Sequence, residues 1–156
     1  MIQEISLEDG LYFRQTLFDK AKRVVVKVGS AILTDESGMN QRVVDNIARD
    51  LSFLRDSGRE VILVTSGAVA AGRRKKVMGD QPLTGIREKQ ALAAIGQSCL
   101  MHTYDQAFGR YDKTIAQILL THSDLAERNR YLNVRNTILT LFRFGVIPII
   151  NENDTV

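Results

Sequence analysis

Three short polar clusters carry the residue types that handle anions and ammonium groups: Lys27-Val28-Gly29-Ser30, Thr65-Ser66-Gly67-Ala68 and Asn151-Glu152-Asn153-Asp154. In the first, Lys27 offers a point charge, Gly29 lets backbone approach a ligand closely, and the successive amides can form an anion-binding concavity. A lysine leaving a strand can equally be its first solvated residue. In the second, the Ser66 hydroxyl and the amides of Gly67 and Ala68 would face an anion over a helix N-terminus, or Ser66 would be an ordinary cap. The third offers Asp154 as a carboxylate for an ammonium group, with Asn151 in the same run, or else a solvated loop.

Each cluster follows a strand-like segment. Val24–Val26 and Val61–Val64 have the β-branched, unbroken apolar pattern of strands buried on both faces, and Val146–Ile150 is a further apolar run. Ligands of open parallel sheets bind beyond the carboxyl ends of the strands, so three clusters at three such ends would converge. Between the first two strands, Asn40 can cap a helix with Val43, Val44, Ile47, Leu51 and Leu54 on one face, stopped at Gly58. That strand–helix–strand unit predicts a right-handed crossover between parallel strands. A helix starts at Ala68 and runs into Arg73–Lys76, a loop with Pro82 follows, and a long helix rich in small residues covers Glu88–Phe108. Thr114–Leu120 reads as another strand, Thr121–Asn129 as a polar excursion, and Leu132–Phe142 as a helix that Gly145 ends. Pro148 sits awkwardly in the last strand, because proline cannot donate to a sheet ladder. The fold expected is α/β, a three-layer α/β/α sandwich with a mainly parallel central sheet.

Composition narrows the alternatives. A chain of 156 residues that is 44% hydrophobic supports one core, and 21 Lys plus Arg against 18 Asp plus Glu is too small a surplus to imply nucleic acid. Trp is absent and no basic run is interleaved with aromatics, so a base-stacking platform is not supported. The basic run Arg73–Lys76 reads as a solvated helix end whose cations suit the dipole, with a phosphate patch as the alternative. A lone cysteine, Cys99, excludes an internal disulfide, suits a reducing compartment and reads as a buried thiol. His102 and His122 lack partners at metal-ligand spacing, and Ser123 and Asp124 could close the crevice or cap a turn. Neither a signal peptide nor a membrane span is recognised, which points to the cytoplasm. The P-loop and dinucleotide fingerprints are missing.

Five ordered segments, VVVKVGSAILT (24–34), VILVTSGAVAAG (61–72), KQALAAIGQSCL (89–100), QILLTHSD (117–124) and VIPIINENDTV (146–156), together resemble the amino-acid kinase family, and within it the branch that phosphorylates glutamate. The resemblance implies ATP- and Mg²⁺-dependent phosphorylation of the side-chain carboxylate of L-glutamate, the opening step of proline biosynthesis. It implies that Lys27 steadies the transferring phosphoryl group with Gly29 and Ser30 beside the phosphates. It also implies that Ser66 and Asp154 contact glutamate while Gly67, Ala68 and Asn151 lie close by. Phosphoryl transfer relies on positioning and charge neutralisation, which such residues can provide. Proline as feedback inhibitor and a homo-oligomer are further family expectations, the small-residue helix being where a dimer contact is expected.

The family's domain continues past the segment that ends at Val156, with a later substrate segment, the nucleotide site and a second lysine. The expected organisation is therefore an extension over residues 1–20, then the acceptor-substrate part over residues 21–156, with the nucleotide-binding part absent and the chain inactive alone. A non-catalytic α/β module that binds an amino acid in the same crevice is the alternative.

Overall fold

The computed structural model describes residues 7–35, 38–75 and 85–156. In chain order they form α1 (Leu7–Lys20), β1 (Arg23–Lys27), α2 (Ser30–Leu33), β2 (Thr34–Asp35), β3 (Gly38–Met39), α3 (Gln41–Asp56) and β4 (Glu60–Val64). There follow α4 (Ala68–Arg73), α5 (Ile86–Gly109), β5 (Ile115–Leu120), α6 (His122–Ala126), α7 (Arg128–Arg143) and β6 (Ile147–Glu152). Four strands make a parallel sheet in the order β1-β4-β6-β5, and β2 with β3 forms a small antiparallel pair. The three-layer α/β design holds.

Strand order and handedness assign the faces. The chain moves one way from β1 through α3 to β4 and on through α4 and α5 to β5, then turns back through α7 to β6. Right-handed crossovers then put α3, α4 and α5 on one face and α7 on the other. The core agrees: Val44 and Leu51 of α3 and Leu100, Tyr104 and Phe108 of α5 cluster with Val61, Leu63, Ile147 and Ile149 of the sheet. On the other face Phe142 of α7 is buried beneath the Arg23 guanidinium, 5.0 Å from its ring centre.

Local rules explain the element ends. Asn40 Oδ1 accepts from the Val43 amide at 3.2 Å and starts α3. Gly58, at φ +85°, ends it, with Gly58 N–H donating to Arg55 O and Arg59 N–H to Leu54 O. The same pair of bonds ends α7 at Gly145.

Several expectations need correction. β1 is an outer strand with alternating exposure, and Val25 is 57% exposed, so it is not buried on both faces. The expected extension holds α1, and α7 begins at Arg128, ahead of Leu132. α2 and the β2–β3 pair were not foreseen. Cys99 is half-buried. The expected polar excursion holds a helix, α6, closed by a capping box: Thr121 N–H donates to Asp124 Oδ2 at 2.7 Å, and the Thr121 hydroxyl accepts from the Asp124 amide. The cap is thus the role the structure shows for Asp124. Lys76 and the loop around Pro82 lie outside the described residues.

Pro148 fits for a directional reason. Ile147 N–H donates to Thr114 O, toward β5, and Ile150 O accepts from Thr65 N–H, toward β4. Alternation turns the Pro148 nitrogen toward β4, and pairing with β4 begins only at Leu63 and Ile149. The missing donor thus falls where no rung exists.

Candidate functional site

One line of backbone bonds brings the three clusters together. Val28 N–H donates to Val64 O, Thr65 N–H to Ile150 O, and Asn153 N–H to Leu120 O, each at 2.8 Å. The carboxyl ends of all four strands are therefore tied side by side. Above them a cavity of about 370 Å³ is lined by Ser30, Gly67, Ala68, Val69, Ala70, Arg73 and Asp154. Four of the sequence-predicted residues, one or more from each cluster, share that cavity.

The other four stand around it. Lys27 is exposed at the end of β1; alternation from Val26, which packs on the core, sets Lys27 on the face of Arg23 and Val25. Gly29 caps α2 in extended conformation, and a Cβ built on it would meet nothing within 4 Å. Ser66 is not a helix cap: its hydroxyl donates to Val28 O at 3.5 Å, a long bond, and Gly67 takes the capping position. Asn151 is buried, borders a second cavity of about 270 Å³ toward α6, and donates through Nδ2 to Gln97 Oε1 at 2.7 Å.

Gly67 has a backbone reason to be glycine. Its φ is +103°, and an added Cβ would lie 3.8 Å from Ser30, so the first two clusters are neighbours there. Ala68 and the rest of α4 lie along α5. A Cβ on Gly96 would collide with Ala68 O and Gly72 N, and one on Gly72 with Leu92 O. The small residues of α5 thus bring it close to α4 inside the chain.

Electrostatics single out Asp154. Partial burial raises its carboxyl above the ordinary range, and the charge of Glu152 adds to the rise. A carboxylate so placed gains from a cationic partner. Asp124 is the opposite case, held low by bonds from the Thr121 hydroxyl and amide and then by Arg130. Among the described residues no group of three His, Cys, Asp or Glu could hold a metal ion.

Sequence reasoning missed three contributors. Tyr104 is fully buried with its hydroxyl 2.9 Å from Thr65 Oγ1, and desolvation pushes its ionisation up to about 12 despite that bond. Gln97 lies 54 residues from Asn151, and Arg73 reaches the cavity from a run read as a solvated helix end in preference to a phosphate patch. Only the small-residue pattern of α5 was visible, without its partner.

Residues 22–156 match the amino acid kinase family. The chain belongs to the amino acid kinase family. Among curated members it is similar to the glutamate 5-kinase of Desulfotalea psychrophila (strain LSv54 / DSM 12343), 64% identical over 94% of this chain and 39% of that protein. The glutamate 5-kinase of Geobacter metallireducens (strain ATCC 53774 / DSM 7210 / GS-15) is 54% identical over 92% of the chain and 38% of its own length. That of Nitratidesulfovibrio vulgaris (strain DP4) is 53% identical over 92% and 37%. This amino acid kinase chain therefore spans about two fifths of the length of these relatives. No helix among its described residues is long and apolar enough to cross a membrane.

Proposed function

We propose that this chain is the acceptor-binding part of a glutamate 5-kinase, which transfers a phosphoryl group from ATP to the side-chain carboxylate of L-glutamate in the first step of proline biosynthesis. The observation that carries this reading is the cavity where Ser30, Gly67, Ala68 and Asp154 meet. It sits in a chain 64% identical to a protein of that name.

The residues divide the work by charge. Asp154 takes the amino group, forming a charge-assisted pair that relieves its repulsion by Glu152. The Ser66 hydroxyl, committed only to a 3.5 Å bond, turns to a substrate carboxylate, supported by the amides of Gly67 and Ala68. Asn151 holds its place through Gln97. Lys27 neutralises charge on the phosphoryl group in transit, next to Gly29 and Ser30. The fit to a phosphate rests on Gly29: at φ −81° and with open space where its Cβ would be, neither backbone nor packing requires glycine. Bound ATP supplies the phosphoryl group, with Mg²⁺ carried on the nucleotide phosphates.

In the same reading residues 1–20 are an extension ahead of the acceptor part at 21–156, and nucleotide binding needs residues beyond this chain, which is inactive alone. The protein works in the cytoplasm as a homo-oligomer and is inhibited by proline. The test is hydroxamate formation by the full-length kinase with ATP, Mg²⁺ and hydroxylamine, using glutamate, aspartate and acetylglutamate. A glutamate-selective signal that collapses in Lys27→Ala is expected. Preference for a control substrate overturns the assignment, and glutamate binding with no turnover supports a non-catalytic amino-acid-binding module instead.

A further inference from the structure

The amide of Gln97 is anomalous. The residue is only 9% exposed, its Oε1 accepts from Asn151 Nδ2 at 2.7 Å, and its Nε2 is buried with no acceptor among the described residues. A buried donor left unpaired is costly, and proteins retain few of them. Gln97 also borders a small cavity of about 10 Å³, walled by Ala68 and Asp154, two residues that line the larger acceptor cavity. A space of that size admits roughly one water molecule or one ligand oxygen.

We propose that Gln97 is a specificity residue of the acceptor site: its Oε1 fixes the Asn151 amide, and its free Nε2–H donates to a carboxylate oxygen of the bound amino acid. The inference rests on the acceptor reading given above. Its logic is complementarity. Asp154 and Glu152 beside this cavity repel a carboxylate, so seating an amino acid there in one orientation needs a neutral donor placed among them. Gln97 supplies that donor without adding charge, and Asn151 holds the side chain in the orientation that leaves Nε2 free. A substrate without the carboxylate would leave the donor unpaired, which is how a buried polar group discriminates.

The discriminating variant is Gln97→Glu in the full-length kinase, because it keeps the oxygen that accepts from Asn151 while replacing the free N–H donor by a carboxylate oxygen. The KM for glutamate should rise about 10- to 100-fold, with the KM for ATP changed less than about twofold, as expected for loss of a hydrogen bond to a charged group. The rise should shrink as pH falls, since protonation of the introduced carboxylate restores a donor; Glu152 and Asp154 face the same cavity and favour that protonation. Gln97→Met, which offers neither group, should show the same selective rise without its pH dependence. As a check on folding, ATP should raise the melting temperature of both variants as it does the wild type, while glutamate should not. A wild-type enzyme that is not glutamate-selective sinks the acceptor reading itself. A glutamate-selective wild type with an unchanged glutamate KM in Gln97→Glu overturns this inference alone. Equal rises in both KM values, or loss of the ATP-induced shift, would show Gln97 to be a structural residue only and overturn it as well.

Discussion

Adding one methyl group at Gly96 should force α4 away from α5 and, with α4, move a wall of the cavity at the strand ends. The built Cβ falls far inside the 3.0 Å that real Cβ atoms keep, against Ala68 O and Gly72 N. Both are backbone atoms, so no rotamer change relieves the clash, and α4 itself has to retreat until ordinary contact near 3.4 Å returns. Overpacking of this kind costs about 1–3 kcal/mol and sometimes more, and backbone against backbone belongs at the upper end. Alanine recovers about 1 kcal/mol through its better helix propensity. The net loss is about 2 kcal/mol, or a fall in Tm of about 4–8 °C at the 2–4 °C per kcal/mol typical of chains this long. Gly109, the last residue of the same helix, is the internal control, because its Cβ would meet nothing within 4 Å. Gly109→Ala should leave the Tm unchanged or raise it by a few degrees, about 1 kcal/mol at most. Circular dichroism melts of the two variants decide the matter. A Gly96→Ala protein that melts with or above wild type, or two variants that shift alike, would refute the claim that glycine is needed there for close approach.

Asp154→Asn should leave the free protein as stable as wild type or slightly more so, because it removes a carboxylate raised by burial and by Glu152, while raising the glutamate KM of the full-length kinase. In the wild type, glutamate affinity should weaken on acidification from a higher pH than an ordinary carboxylate would give, because the raised group protonates sooner; a pH profile of glutamate KM that stays flat in that range would refute this. Tyr104 predicts an alkaline effect. Its hydroxyl ionises at about 12 when folded against about 10 unfolded, so the folded state binds this proton more tightly and stability is lost as pH rises through that interval. Tyr104→Phe should flatten the loss in urea titrations while costing about 1 kcal/mol near neutrality for the bond to Thr65. Asn40→Ala should cost about 1 kcal/mol by removing the α3 cap, read from the urea midpoint.

Much of the fold was legible because its signals are local. The α3 periodicity, the Asn40 cap and the glycines at 58 and 145 state their elements within a few residues, and the structure repeats them. Where the reading failed, the deciding fact was tertiary. Val24-Val25-Val26 reads as a strand buried on both faces, but one face of β1 is left uncovered, and a strand covered on one face alone shows alternate residues to solvent. Thr121 to Asn129 looks like a loop by composition, yet its threonine and aspartate form a capping box three residues apart, a signal the sequence did hold. The site divides the same way. The strand-end clusters were visible, whereas Gln97 and Tyr104 act through partners 54 and 39 residues away.

The placement of Lys27 constrains how the proposed transfer can run. Val26 points into the core and Lys27 to the opposite face of the sheet, whereas the acceptor cavity is built from residues that follow the strand ends, including Gly67 and Ala68 on the α5 side. Lys27 lines neither that cavity nor its small neighbour, so it is not positioned to hold the acceptor. A group that touches both must lie over the strand ends, where Val28 is bonded to Val64 and where Gly29 leaves open space. The lysine would therefore meet the phosphoryl group from one side of the sheet while the acceptor carboxylate comes from the other. Under this geometry Lys27→Ala should depress kcat with little change in glutamate KM, and Asp154→Asn should do the reverse. Matching effects of the two variants on glutamate KM would mean that Lys27 contacts the acceptor, and the division of the site across the sheet would fall.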